Sequence, residues 1–179
     1  MFMHVKAKTM AFSGLLLALT VIFMVLGSVI ETSTLFLLAA ASFFVGIIIR
    51  EFGLRIGAAF YAAGVILGFI TAPNKFYVIS YAAMGLYIFL VEAAWQVMAR
   101  GPRSAQRKSF FWVVKYLIFN AMFLPGLFFF QDFFFSGNLS LGILTGVAIG
   151  GQLGLWIYDQ AYEYVQRHLW NKYRGRLLR

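Results

Sequence analysis

The sequence predicts an all-α integral membrane protein with six transmembrane helices and both termini in the cytoplasm. Three observations predict it: an apolar excess, long uncharged runs and a one-sided distribution of cations. Hydrophobic residues make up 62% of the 179 residues and charged residues 12%, against roughly 45–50% and about 25% in a soluble domain. A water-soluble fold of this size could not bury so much apolar surface. Soluble enzymes, nucleic-acid modules and disordered chains are therefore poor fits. A spanning helix needs roughly 20 apolar residues, so the chain has room for about six spans in a single transmembrane domain over 1–179 and for no separate soluble domain.

The spans are expected at approximately 9–30, 33–49, 55–72, 76–98, 110–130 and 139–166. The first is the uncharged stretch between Lys8 and Glu31. It is too long for a signal-peptide core and lacks a small-residue cleavage site, so it is expected to stay as a span. The second ends at Arg50, where Arg50, Glu51, Gly53 and Arg55 predict a tight turn. The third ends at the turn signal Pro73-Asn74. The fourth is interrupted by Glu92, and the polar loop 100–108 follows it. The fifth is interrupted by Lys115. The sixth is charge-free to Tyr158 and runs on through Asp159 and Glu163. Runs of this length are helical in lipid, where the backbone must satisfy its own hydrogen bonds. A membrane β-barrel would instead show alternating segments of about ten residues.

The cations sort by side. Thirteen of the 15 Lys and Arg residues fall at the N-terminus, in the second-to-third turn, in the fourth-to-fifth loop and at the C-terminus. The opposite side has only Lys75, and Lys115 lies within a span. Positive loops stay in the cytoplasm, which fixes the orientation and an even number of spans. The net charge of +9 thus reflects topology rather than nucleic-acid binding. With no cysteine in the chain, disulfides and cysteine metal sites are excluded. No phosphate loop ending in Gly-Lys-Ser or Gly-Lys-Thr is present, so the chain is not its own ATPase. His4 and His168 lack partners at metal-binding spacing, and no Gly-x-Ser-x-Gly elbow occurs. Neither catalysis, a metal nor a cofactor is expected.

Ionisable groups within spans are costly, and each calls for an explanation. Glu92, Lys115 and Asp159 sit at similar depth, about 10–12 Å inward from the cytoplasmic cations at 1.5 Å per residue. They read either as a structural ion cluster joining the last three spans or as a partner-contact or proton-coupling site. Asn120 and Gln152 match in depth near the midplane, where polar groups need partners, either each other or a ligand. Glu31, Asn74 and Lys75 mark the outer loops, with Tyr81 and Trp156 deeper. Together with Asn120 and Gln152 these form the candidate substrate-binding set. Tyr77 and Trp112 suit an interfacial aromatic belt. Gly142, Gly146, Gly150 and Gly154 recur every fourth residue. This ladder suits either tight internal packing of the sixth span or a face against a partner.

The stretch Lys8-Thr-Met-Ala-Phe-Ser-Gly-Leu-Leu-Leu-Ala-Leu-Thr20, with six spans, a length near 180 and short outer loops, resembles the substrate-binding S components of energy-coupling-factor (ECF) vitamin transporters. That family carries an Ala-x-x-x-Ala docking pattern in its first span. Gly14 and Ala18 stand at that spacing, with Ala11 one turn earlier and Gly in place of the first Ala. The resemblance implies a bacterial cytoplasmic-membrane protein that binds a vitamin or similar small molecule from outside. It implies partners too: a membrane coupling subunit, docked through Ala11, Gly14 and Ala18, and cytosolic ATPases. A scaffold of cell-shape or envelope assembly, of the rod-shape-determining type, has similar size and span number and is the alternative.

Overall fold

The computed structural model describes residues 2–100, 108–134 and 141–172. Among these the chain is all-helical, with six α-helices and no strand. They are α1 (Phe2–Val29), α2 (Thr34–Phe52), α3 (Leu54–Thr71), α4 (Lys75–Ala99), α5 (Lys108–Phe134) and α6 (Leu141–Tyr164). A short 3₁₀ turn, Glu31–Ser33, joins α1 to α2, and α6 continues as a π-helical segment, Val165–Trp170. Five helices are long and apolar enough to cross a membrane, over Thr9–Val29, Thr34–Phe52, Leu54–Thr71, Lys75–Ala99 and Ser109–Leu127. The sixth falls short of that measure. The protein is a multi-pass membrane protein, and the apolar side chains it exposes, such as Met10, Phe36, Ile66 and Ile70, face the solvent for which they are suited, lipid.

The expected boundaries shift most at α1 and at the second turn. α1 begins at Phe2, because a helix does not stop where its apolar stretch stops. The turn predicted over Arg50, Glu51, Gly53 and Arg55 contracts to Gly53 alone. Arg50 and Glu51 belong to α2, and Arg55 to α3. Gly53 has φ 89°, a left-handed conformation that glycine adopts without a Cβ penalty. Its N–H closes α2 on the Ile49 carbonyl at 2.9 Å, and its own carbonyl accepts from Gly57 N at 3.0 Å. One residue therefore ends one helix and starts the next.

Two apolar clusters hold the bundle. One lies among α1–α4, with Met24, Leu38, Val45, Ile48, Phe60, Val78 and Tyr81 buried. The other joins α2 and α4 to α5 and α6 through Phe43, Tyr87, Ile88, Val91, Leu155 and Tyr162. Helix ends that carry cations meet at one end of the bundle. There the Phe12 ring lies 5.5 Å from Trp170, and Trp170 Nε1 donates to Glu51 at 2.8 Å.

Candidate functional site

The polar groups divide along the bundle axis. Toward the cation-rich end, Lys115 of α5 reaches Asp159 at 2.8 Å and Glu163 at 2.7 Å on α6. The side chains of Lys115 and Asp159 are 2% and 1% exposed, so neither charge has water as an alternative partner. Tyr87 also donates to Asp159, at 3.4 Å. The rings of Phe111 and Trp112 lie 4.7 and 5.0 Å from the Lys115 ammonium, placing Trp112 beside a cation in addition to any interfacial role. Arg167, in the π-helical segment that continues α6, bonds Glu163 at 2.5 Å.

The depth argument that grouped Glu92 with Lys115 and Asp159 is correct for only two of the three. Glu92 is buried but pairs with Arg50, at 2.8 Å from Nε and 2.5 Å from Nη2. It also accepts from the Tyr162 hydroxyl at 2.7 Å. Arg50 had been assigned to a loop. It instead ends α2, and its guanidinium turns back along the bundle. Gly46 makes room for this junction, since a Cβ there would collide with the Tyr162 hydroxyl. Three cations (Arg50, Lys115, Arg167) thus meet three carboxylates (Glu92, Asp159, Glu163) on α2, α4, α5 and α6. The compensation is complete, as charges at this depth require.

Further from that end the interior opens. A cavity of about 1350 Å³ lies between α2, α4, α5 and α6. An aromatic group forms its inner wall: Phe43 lies 5.3 Å and Tyr87 5.9 Å from Tyr158, and Phe119 stacks on Phe123 at 4.9 Å. Leu35 and Phe36 at the start of α2, and Ile79 near the start of α4, line it while remaining exposed. They mark a mouth that is itself apolar. Pro125 of α5 has no N–H to give to the Ala121 carbonyl, so one rung of the α5 ladder is missing beside the lining residues Gly126 and Leu127.

Among the described side chains, Asn74, Lys75, Tyr81, Asn120, Gln152 and Trp156 of the set expected from sequence do not line this cavity. Asn120 and Gln152 satisfy each other instead: Gln152 Nε2 donates to Asn120 Oδ1 at 2.7 Å, and Asn120 Nδ2 to the Tyr116 carbonyl at 2.9 Å. Of the two partners expected for them, each other or a ligand, the structure shows the first. Asn74 caps α4 by accepting from Phe76 N at 3.0 Å, and Lys75 covers the end of α3, donating to Phe69 O and Ala72 O. Tyr81 is fully buried against Gly64 in the α1–α4 cluster, where its hydroxyl has no partner. Trp156 is 51% exposed on α6, and Glu31 opens the 3₁₀ turn.

The glycine ladder is not an internal packing face. Gly142 is exposed, and a Cβ on Gly146, Gly150 or Gly154 would meet open space. Gly151, one residue off the ladder, is the glycine that touches α5, against the Phe123 ring. Ala11, Gly14 and Ala18 form an exposed small-residue strip on α1.

Sequence reading missed Arg50, Glu163 and the aromatic wall. Glu163 had a usable signal, standing four residues after Asp159 and four before Arg167, on one helix face. Arg50 and the cavity had none, because both depend on which helices become neighbours. Among the described residues no group of three His, Asp or Glu side chains could hold a metal. No protein-family model matches the chain, and neither does any curated protein or solved structure.

Proposed function

We propose that this protein is a membrane-embedded binding subunit for uptake of a small molecule, and that it works with a separate coupling subunit and cytosolic ATPases. The observation that supports this reading best is the cavity of about 1350 Å³. Ligand sites are usually concave and mostly apolar, at roughly 300–1,000 Å³, and a scaffold needs no such space. The exposed strip of Ala11, Gly14 and Ala18 would let another helix approach closely, as docking on a coupling subunit demands. Energy would come from the partners. On this reading the protein resides in a bacterial cytoplasmic membrane, with the cation-rich end inside.

Affinity purification from native membranes tests it. Recovery of ATPase subunits with a second membrane protein is expected. Gly14→Leu or Ala18→Leu should release them and abolish uptake while leaving ligand binding intact. Recovery of wall-elongation proteins without ATPases would overturn the reading in favour of an envelope scaffold.

A further inference from the structure

The cavity's shape and its polar groups constrain what can fill it. Its lining on α6 and the following segment runs from Val147 to Leu169. The walls on α2, α4 and α5 are shorter, over 35–44, 79–87 and 119–127, about 12–14 Å each at 1.5 Å per residue. The site is a groove about two helical turns deep on three walls, continued along α6.

Among the described lining residues, three side chains carry a polar atom, and each is already engaged. Ser80 Oγ donates to Phe76 O at 3.1 Å. The Tyr87 hydroxyl points away, to Asp159. The Tyr158 hydroxyl lies 2.7 Å from Ser42 Oγ and 3.2 Å from Met84 O. A polar ligand would lose its hydration here, at a cost of roughly 2–7 kcal/mol per unpaired group in an apolar site, with only the spare acceptor capacity of these three hydroxyls to meet it. The charged side chains closest in the fold are committed to one another, as described above. The mouth at Leu35, Phe36 and Ile79 is exposed and apolar, so entry from the bilayer needs no passage through water.

We infer that the groove binds the hydrocarbon or isoprenoid chain of a lipophile, taken in from the bilayer. This rests on the binding-subunit reading and names its substrate class. Two sources share the chemistry: a free lipophile such as a fatty acid, and the tail of a membrane phospholipid.

Gly154 supplies the test. It lines the groove, and a Cβ there would meet nothing within 4 Å, so Gly154→Phe places a ring where the groove is open. The full chain, purified in a maltoside detergent, is examined by native mass spectrometry and by titration with a fluorescent polyene fatty acid. Wild type is expected to bind the fatty acid, and Gly154→Phe to bind it at least about tenfold more weakly, a loss of about 1.4 kcal/mol. Trp156→Leu, on the exposed side of α6, should bind as wild type does. A retained mass that Gly154→Phe removes separates the sources. A phospholipid mass supports the inference with the bilayer as source, and a smaller lipophile supports it with a free molecule. Retention of a water-soluble vitamin, with no fatty-acid binding, would overturn the inference and leave the binding-subunit reading standing. Equal fatty-acid binding by Gly154→Phe and wild type would also overturn it. No retained or bound molecule of either kind would overturn both.

Discussion

The two halves of the α2–α4–α5–α6 bundle solve opposite problems. Toward the cation-rich end, α6 is held by charge: Lys115, Asp159 and Glu163 on one side, Arg50, Glu92 and Tyr162 on the other. Beside these charges the helices leave an apolar groove of about 1350 Å³, walled by the outer parts of α2, α4 and α5 and following α6 on to Leu169. In water, such a gap would collapse under the hydrophobic effect. In lipid, apolar surface gains nothing by leaving the solvent, and helix association depends on packing and hydrogen bonds. The comparison teaches that ionic contacts can fix a helix along one face and so permit an open, uncollapsed space along another.

The comparison breaks first where the fixed half is broken. Lys115→Ala leaves Asp159 buried without a counter-charge, a lesion worth about 3–5 kcal/mol. The expected result is loss of monodisperse protein in detergent, followed by size exclusion. The charge swap of Lys115→Asp with Asp159→Lys should restore part of it. If the single variant is as stable as wild type, the ionic contacts do not hold α6. Next in size is Gly46→Leu, which drives a side chain into Tyr162 and costs about 1–3 kcal/mol by overpacking, read as a lower thermal midpoint. Glu92→Gln keeps an acceptor for Tyr162 but loses the charge pair. Because the Arg50 side chain is 40% exposed and water can take over, the loss is smaller, about 1–2 kcal/mol. Gln152→Leu removes a midplane hydrogen bond worth about 0.6 kcal/mol, the average for bonds of this kind in membranes. The smallest effect sharpens the other half. Gly154→Phe adds its side chain where the structure is open, so its stability should stay within about 0.5 kcal/mol of wild type even though fatty-acid binding weakens.

Much of this was legible in the sequence, and for identifiable reasons. Lipid forces uncharged stretches into helices, so the helices emerge from charge spacing alone. The equal depth of Lys115 and Asp159, and of Asn120 and Gln152, made both pairs possible, because helical rise converts residue number into height, but it left a partner or a ligand equally open. Height does not give azimuth. Glu92 was therefore grouped with Lys115, when rotation about α4 points it to Arg50. Arg50 was invisible as a partner because a cation beside a turn reads as topology. Tyr81 and Trp156 failed as pocket residues for the same reason: at the right depth, one faces the α1–α4 core and the other faces outward. The groove left no trace at all. In a chain that is 62% hydrophobic, a Phe that lines a cavity, a Phe in the core and a Phe in lipid look alike.

The most direct measurement uses a photoactivatable fatty acid in membranes carrying the protein, with adducts mapped by peptide mass spectrometry. Adducts should concentrate at the groove residues Phe43, Phe123 and Leu155 and disappear from them in Gly154→Phe. Adducts spread evenly over the lipid-facing residues Met10, Ile66, Ile70 and Phe76, unchanged by Gly154→Phe, would contradict a groove that holds a lipophile.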